Sequence, residues 1–195
     1  MQNSSSKIDI DNKTRFRYEV WYWRLLIDAL ICRASAEAGT QFAIFEMVKV
    51  KIIFHVEKTI EPVFDLISDI SGYKKWSAIN SKFFIENKIT SEGPTGLGTT
   101  YIDRLRWFGK AVGEIAVYQR PFKIMFQQKV SFGLPAFGAE LKYTLKAIQN
   151  STEVIHNVEA IPYGFFNLVR PILSHILHSE RNRTCRAIKE ALEQK

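Results

Sequence analysis

From Met47 onward, hydrophobic and polar residues alternate along the chain. Five apolar side chains of the segment 48–56 fall on the same side: Val48, Val50, Ile52, Phe54 and Val56. Successive side chains of a β-strand point to opposite faces, so this period of two is typical of a strand with one buried face. The pattern therefore predicts a first strand whose apolar face must be covered.

The segment 61–76, EPVFDLISDISGYKKW, has a different pattern. Pro62 stands where a helix would begin, a position that tolerates its missing N–H. Three apolar side chains follow at helical spacing: Val63, Phe64 and Ile67. Gly72 interrupts the pattern and a second short piece ends at Trp76. We expect two short helices directly after the first strand.

Six further runs read as strands, separated by turn signals. They cover residues 82–89, 100–108, 111–120, 123–130, 139–148 and 152–161. Gly109-Lys110 predicts a two-residue hairpin turn between two of these runs. The segment 90–99 contains several glycines but lacks the Gly-Lys-Ser/Thr ending of a phosphate-binding loop, which favours a hairpin loop.

The segment 163–193 carries apolar residues at helical spacing and predicts one long helix, kinked at Pro171 because proline removes a backbone donor. A one-sided antiparallel sheet must bury its apolar face against another layer. The fold class is therefore α+β: a curved seven-stranded antiparallel sheet wrapped on a long C-terminal helix, with the two short helices between strands 1 and 2 closing one end.

Three short sequence patterns, together with the order of the predicted elements, resemble those of a known superfamily. They are IEPVFDLISDISGYKKW, GPTGLGTTY and YQRPFKIMF. The chain over about 48–193 resembles the START-like superfamily with the helix-grip fold, and within it the polyketide cyclase/dehydrase and lipid-transport (SRPBCC) group. The resemblance implies a hydrophobic cavity between sheet and helix that binds lipids, isoprenoids, polyketides or similar molecules. Some relatives catalyse cyclisation or dehydration. The superfamily has no universal catalytic residues, so none is carried over.

If the apolar side of each strand faces such a cavity, parity identifies its wall. The predicted wall comprises Phe83, Ile85, Tyr101, Leu105, Trp107, Ile124, Phe126, Leu141, Tyr143, Val154, Val158, Phe166, Leu173 and Leu177. Parity also turns three polar side chains inward: Asp103, Gln128 and His156. The predicted ligand contacts are Tyr101, Asp103, Leu105, Trp107, Phe126, Gln128, Tyr143, His156, Phe166, Leu173 and Leu177.

The inward polar side chains have several interpretations. Ligand sites are mostly apolar with a few convergent polar groups, so Asp103, Gln128 and His156 are candidates for orienting a ligand. Asp103 and His156 are also candidates for proton transfer, although no catalytic residue is assigned. Alternatively, these side chains bond buried backbone groups, or a bulge turns them to solvent.

Composition bears on the partners, metals and cofactors that the protein is expected to bind. The chain has 27 basic and 20 acidic residues, which gives a net charge of +7. The basic residues alternate with acidic and apolar ones, and the sequence has no nucleic-acid-binding motif. We therefore expect no nucleic-acid partner. His175 and His178 lie three apart but lack further ligands at suitable spacing, so neither metal nor cofactor is predicted. Cys32 and Cys185 are far apart and favour reduced thiols and a cytoplasmic location.

Residues 1–46 form a separate N-terminal extension ahead of the predicted START-like ligand-binding domain, 47–195. Its first residues are polar and predict disorder. The segment 18–31 is too short and too charged to span a bilayer, but its spacing fits an amphipathic helix that lies on the domain or on a membrane surface. The alternative is an accessory segment upstream of a start at Met47.

Three functions follow from these patterns. The first is binding, and transport, of a small hydrophobic molecule in an internal cavity. The second is an enzyme of the cyclase/dehydrase type that uses the same cavity. The third is a protein-interaction module whose cavity is filled by its own side chains. The identity of the ligand and the oligomeric state are left open by the sequence.

Overall fold

The computed structural model describes four stretches of the chain: residues 47–77, 81, 83–106 and 109–193. Of Phe165 only the backbone is described. The predicted extension 1–46, with its helix at 18–31, and the predicted ligand contact Trp107 lie outside the described residues.

Seven strands and three α-helices make up the described part of the chain. The strands are β1 (Val48–Val56), β2 (Phe84–Ile89), β3 (Thr100–Leu105), β4 (Gly109–Gln119), β5 (Lys123–Phe132), β6 (Leu134–Ile148) and β7 (Ser151–Pro162). The helices are α1 (Ile60–Ser68), α2 (Tyr73–Trp76) and α3 (Arg170–Glu193), and a 3₁₀ turn covers Gly164–Asn167. Both short helices lie between β1 and β2, as predicted.

All seven strands belong to one antiparallel sheet in the order β1-β7-β6-β5-β4-β3-β2. Each strand after β2 pairs with the one before it in sequence, and β1 closes the order by pairing with β7, with Ile52 opposite His156. The sheet curves around α3, which confirms the predicted helix-grip architecture.

The core lies between the concave face of the sheet and the helices. Val50 and Val158 point inward from β1 and β7 and are almost fully buried. Helix α3 packs along β1 and buries Ile188 and Leu192 near its C-terminal end. Helix α1 buries Val63 and Phe64 against β6, β7 and α3. Sheet and helices thus share one apolar layer, which is what the strand alternation predicts.

The predicted turn at Gly109-Lys110 is wrong, because both residues already belong to β4 and Lys110 pairs with Arg104 of β3. Gly109 serves close packing. A Cβ atom at this position would lie 2.5 Å from Cε1 of the Phe132 ring on β5, too close for any other residue without a shift of that ring. The glycine therefore permits strand contact where the sequence suggested a turn.

The predicted long C-terminal helix is confirmed, but it does not begin at residue 163. A separate 3₁₀ turn precedes the helix, and α3 begins at Arg170, so Pro171 occupies its first turn. There the missing N–H would have had no partner within the helix, and proline is tolerated without a kink.

A bulge in β2 changes which of its side chains face inward. The pairing with β3 shifts between Phe84 and Glu86, so Ile85 does not take the wall position that parity predicts. Phe84 and Asn87 line the interior instead. A bulge adds one residue to a strand and reverses the parity beyond it, which explains the difference.

Candidate functional site

A cavity of about 400 Å³ lies between the sheet and α3. Its walls come from β2 to β7, from α3, and from α1 and α2 at one end. Most of the lining is apolar and includes Phe126, Leu141, Leu173 and Leu177. The volume falls within the usual range of small-molecule sites, about 300–1,000 Å³.

One opening of the cavity lies beside the first turns of α3. Ile172 lines the cavity and is nevertheless 61% exposed, so the cavity reaches the surface at this position. Phe132 and Phe166, whose rings lie 6.4 Å apart, line the same region. We call this region, defined by Phe132, Phe166 and Ile172, the mouth.

Three polar side chains meet in the cavity wall away from the mouth. Nε2 of Gln128 donates to the Tyr101 hydroxyl at 2.9 Å and to Oδ2 of Asp103 at 3.1 Å. Gln128 belongs to β5 and the other two to β3, with β4 between them. They meet across β4 because Gly113, which pairs with both Tyr101 and Gln128, has no side chain there. A Cβ atom at Gly113 would lie 2.5 Å from Cζ of Tyr101.

Burial changes the acidity of this cluster. Asp103 is 8% exposed, and loss of hydration raises the pKa of its carboxyl group from 3.8 to about 7. The positive charge of Arg181 and the hydrogen bond from Gln128 lower that pKa but only partly offset the burial. Burial also raises the pKa of Tyr101 well above its usual value, so its hydroxyl stays protonated. Asp103 is therefore the group that can exchange a proton near neutrality.

His156 is buried beside the cavity but does not line it. Its ring stacks on that of Tyr143 at 4.0 Å, and neither ring nitrogen has a hydrogen-bond partner among the described residues. Burial lowers the pKa of His156 to about 3 and Arg181 acts in the same direction. The nearby backbone of Lys142 raises the pKa of His156, but this effect is smaller than those of burial and Arg181. His156 is therefore a neutral, packed side chain.

Asp103 and His156 do not form a pair. They stand on β3 and β7, with β4, β5 and β6 between them. No hydrogen bond joins them: Asp103 accepts from Gln128, and neither ring nitrogen of His156 has a partner among the described residues. The arrangement therefore lacks the direct contact that proton transfer between the two would need.

Arg181 lines the cavity from α3 and was not predicted. It follows Leu173 and Leu177 at intervals of four, so it shares their inward face. This spacing could have identified Arg181 from the sequence, because it places a cation on the buried, otherwise apolar face of the helix. Such a residue is normally assigned to the helix surface, because arginine is rarely buried without a partner.

A hydrogen-bonded cluster ties α3 to the chain around α2. Nε of Arg183 donates to Oε2 of Glu180 at 2.9 Å, and its Nη1 donates to the carbonyl of Ser77 at 2.6 Å. Ser81 donates to the same Glu180 oxygen at 3.3 Å and also accepts from the backbone N–H of Phe84. Glu180 thus has its charge partner in Arg183.

The structure places most of the predicted ligand contacts on the cavity wall. These are Tyr101, Asp103, Leu105, Phe126, Gln128, Tyr143, Phe166, Leu173 and Leu177. His156 is the exception among the described residues. Contact with a ligand stays a prediction for all of them.

Other sequence candidates lie elsewhere. His175 and His178 are exposed on α3. Within the described stretches, no three His, Cys, Asp or Glu side chains are grouped as a metal site would require. Cys185 is buried as a free thiol, and burial raises its pKa to about 12. None of the helices in the described stretches has the length and apolar character needed to cross a bilayer.

Proteins similar to this chain are found by structure and not by sequence. No family model and no curated protein matches the sequence. An aromatase/cyclase, Zhui from Streptomyces sp. R1128, is 11% identical with a TM-score of 0.62, over 76% of this chain and 95% of that one. A START superfamily protein from Mycobacterium smegmatis is 12% identical with a TM-score of 0.59, over 75% and 97%.

Ara h 8.0201 is 12% identical with a TM-score of 0.59, over 77% of this chain and all of that one. Each likeness spans nearly the whole of the other protein. The chain therefore has the helix-grip fold of the START-like (SRPBCC) superfamily.

Proposed function

We propose that this protein binds a small, mainly apolar molecule in the cavity between the sheet and α3. The observation that carries the proposal is the cavity itself: about 400 Å³ with a mainly apolar lining and a small polar cluster. Protein interiors are packed as densely as organic crystals and contain few voids larger than a water molecule. The space fits an occupant better than a packing defect.

The hydrophobic effect would supply most of the affinity. The cavity opens to the surface at Ile172, so its apolar lining is accessible to solvent. A bound ligand would gain about 25 cal/mol for each Å² of apolar surface that leaves water.

The comparisons support the proposal only through the fold, since a fold hosts many functions. The third interpretation of the sequence, an interaction module filled by its own side chains, fits the open space less well. Transport, contact with a membrane surface and a cytoplasmic location remain proposals. So does the assignment of the ligand to lipids, isoprenoids or polyketides.

Blocking the cavity tests the proposal. Ala139 of β6 lines the cavity, and Ala139→Leu would extend an apolar side chain into it. We expect the affinity for the neutral fluorescent probe N-phenylnaphthylamine to fall at least about tenfold, with thermal stability maintained or raised because space is filled. Ala147→Leu, the same change at an exposed position of the same strand, is the matched control.

Equal probe affinity in both variants would place the binding elsewhere. Native mass spectrometry of the purified protein would in addition reveal a molecule that co-purifies. Absence of both probe binding and a co-purifying molecule would overturn the proposal.

A second candidate, proton-transfer catalysis of the cyclase/dehydrase type, is favoured by one observation. Asp103 lines the cavity and its pKa of about 7 lets it donate or accept a proton at neutral pH. Asp103→Asn keeps the shape and an acceptor for Gln128 but cannot exchange the proton. With a molecule that the protein converts, lost turnover at unchanged probe binding would support catalysis. Unchanged turnover would exclude Asp103 as the proton-transferring group.

A further inference from the structure

Arg181 is half-buried and lines the cavity from α3. Its Nε is fully buried without a hydrogen-bond partner among the described residues. No carboxylate of the described stretches lies within salt-bridge distance of it. Arginine stays protonated in proteins, so the cavity contains an uncompensated positive charge.

The acidic groups near Arg181 are already occupied or neutral. Glu180 is engaged by Arg183 and Ser81. Asp103, across the cavity on β3, is held by Gln128, and its pKa of about 7 leaves it substantially protonated at neutral pH.

None of the other groups that face Arg181 is a carboxylate. They are Tyr143 from β6, His156 from β7, Cys185 from α3 and Tyr73 from α2. Burial raises the pKa of Tyr143 and of Cys185, so both keep their protons.

Arg183, on the same helix, is an arginine whose charge is paired within the protein. Its guanidinium donates to the Glu180 carboxylate and to the Ser77 carbonyl, within hydrogen-bond distance of both. Arg181, two positions earlier, has no such partner in the described part of the chain. A buried charge without a partner costs several kcal/mol, and an anion from outside would remove that cost. Planar guanidinium is well suited to bidentate pairing with a carboxylate.

We propose that the molecule in the cavity is an amphipathic anion whose carboxylate binds Arg181 and whose apolar body extends towards the mouth. This inference rests on the proposed function and specifies its ligand class. Arg181 lies roughly two and a half turns beyond Ile172, about 14 Å at a rise of about 1.5 Å per residue. The wall between them carries Leu173, Ile176 and Leu177, so the anion sits at the inner end and the apolar chain along α3.

A matched pair of ligands tests the charge. Dodecanoate and dodecanol share the same apolar chain and differ in the charged head group. Each displaces N-phenylnaphthylamine, whose fluorescence reports occupancy of the cavity, from the full chain. We expect dodecanoate to bind about ten- to a hundredfold more tightly than dodecanol, the range of a buried hydrogen bond to a charged group.

Variants of α3 assign the effect to one side chain. Arg181→Met is expected to remove the preference for dodecanoate while dodecanol affinity stays within about threefold, and Arg181→Lys to retain part of the preference. Arg186→Met removes the same charge from an exposed position of the same helix and is expected to leave both affinities unchanged.

The outcomes separate the inference from the proposed function. If the probe and dodecanol bind but dodecanoate binds no better in the unmodified protein, the anion inference is wrong and the apolar-ligand proposal stands. If neither the probe nor either chain binds, both are wrong. The comparison in the unmodified protein decides the question even if Arg181→Met does not fold. A preference for dodecanoate that persists in a folded Arg181→Met variant would also overturn the assignment.

Discussion

Burial of Asp103 makes a contribution to stability that falls as pH rises. The pKa of this carboxyl group is about 7 in the folded protein, against 3.8 for an exposed one. Between those values the folded state keeps a proton that the unfolded state releases. Stability that is fully present below pH 3.8 is therefore lost as pH rises through 7. The difference between 3.8 and about 7, at about 1.4 kcal/mol per pH unit, corresponds to roughly 4 kcal/mol of folding free energy.

The substitution Asp103→Asn isolates this effect. An asparagine cannot ionise, and its carbonyl can still accept the hydrogen bond from Gln128. Free energies of unfolding are measured by urea titration between pH 4 and pH 8 for both proteins, and their difference is taken at each pH. We expect a difference near zero at about pH 4 that grows to roughly 4 kcal/mol in favour of the variant at about pH 8.

The control for Asp103→Asn is a substitution in a similar hydrogen bond on the solvent side of the sheet. Glu140 accepts a hydrogen bond from Gln127 at 2.9 Å, as Asp103 does from Gln128, but it is exposed. Glu140→Gln should change stability by less than about 0.5 kcal/mol at every pH. A difference for Asp103→Asn that does not vary with pH would show that the carboxyl group is hydrated, and would refute the reasoning on its pKa.

Two further predictions follow from buried charge. His156 has the opposite dependence: its pKa of about 3 lies below the ordinary 6.5, so its contribution is present above pH 6.5 and lost as pH falls towards 3. His156→Leu should lower the midpoint of acid unfolding, monitored by circular dichroism; an unchanged midpoint would argue that the ring is hydrated. Arg183→Met leaves Glu180 buried without its charge partner and should cost about 3–5 kcal/mol in urea unfolding, whereas Arg181→Met should be neutral or stabilising. Equal effects of the two substitutions would contradict the distinction between a paired and an unpaired arginine.

The strand alternation and helical spacing predicted the layers of this fold correctly. A period of two follows from local backbone geometry, so it survives in the sequence wherever one face of a strand is buried. The same rule placed Tyr101, Asp103 and Gln128 on the inner face. It failed at Ile85, where a bulge between β2 and β3 shifts the pairing. A bulge depends on the partner strand and leaves little trace in the bulged strand itself.

The predictions made at Gly109 and Pro171 fail for a related reason. Gly109 carries the same local signal whether it forms a turn or makes room for a neighbour, and the Phe132 ring that requires it lies on another strand. Pro171 breaks a helix in its middle and is tolerated at its start, so its effect depends on where α3 begins. The residue types were visible in the sequence, but their roles depended on contacts distant in sequence.

The properties of the site follow from its surroundings. Periodicity in the chain was enough to indicate a curved sheet, a covering helix and a set of inward side chains. It could not show that His156 is sealed behind Tyr143 while Asp103 reaches the cavity, because both obey the same parity. Nor could it separate Arg181 from Arg183, since hydration and charge pairing depend on side chains contributed by several elements. Local geometry determines which way a side chain points, and the packed neighbours determine whether it meets water, a partner or an open cavity.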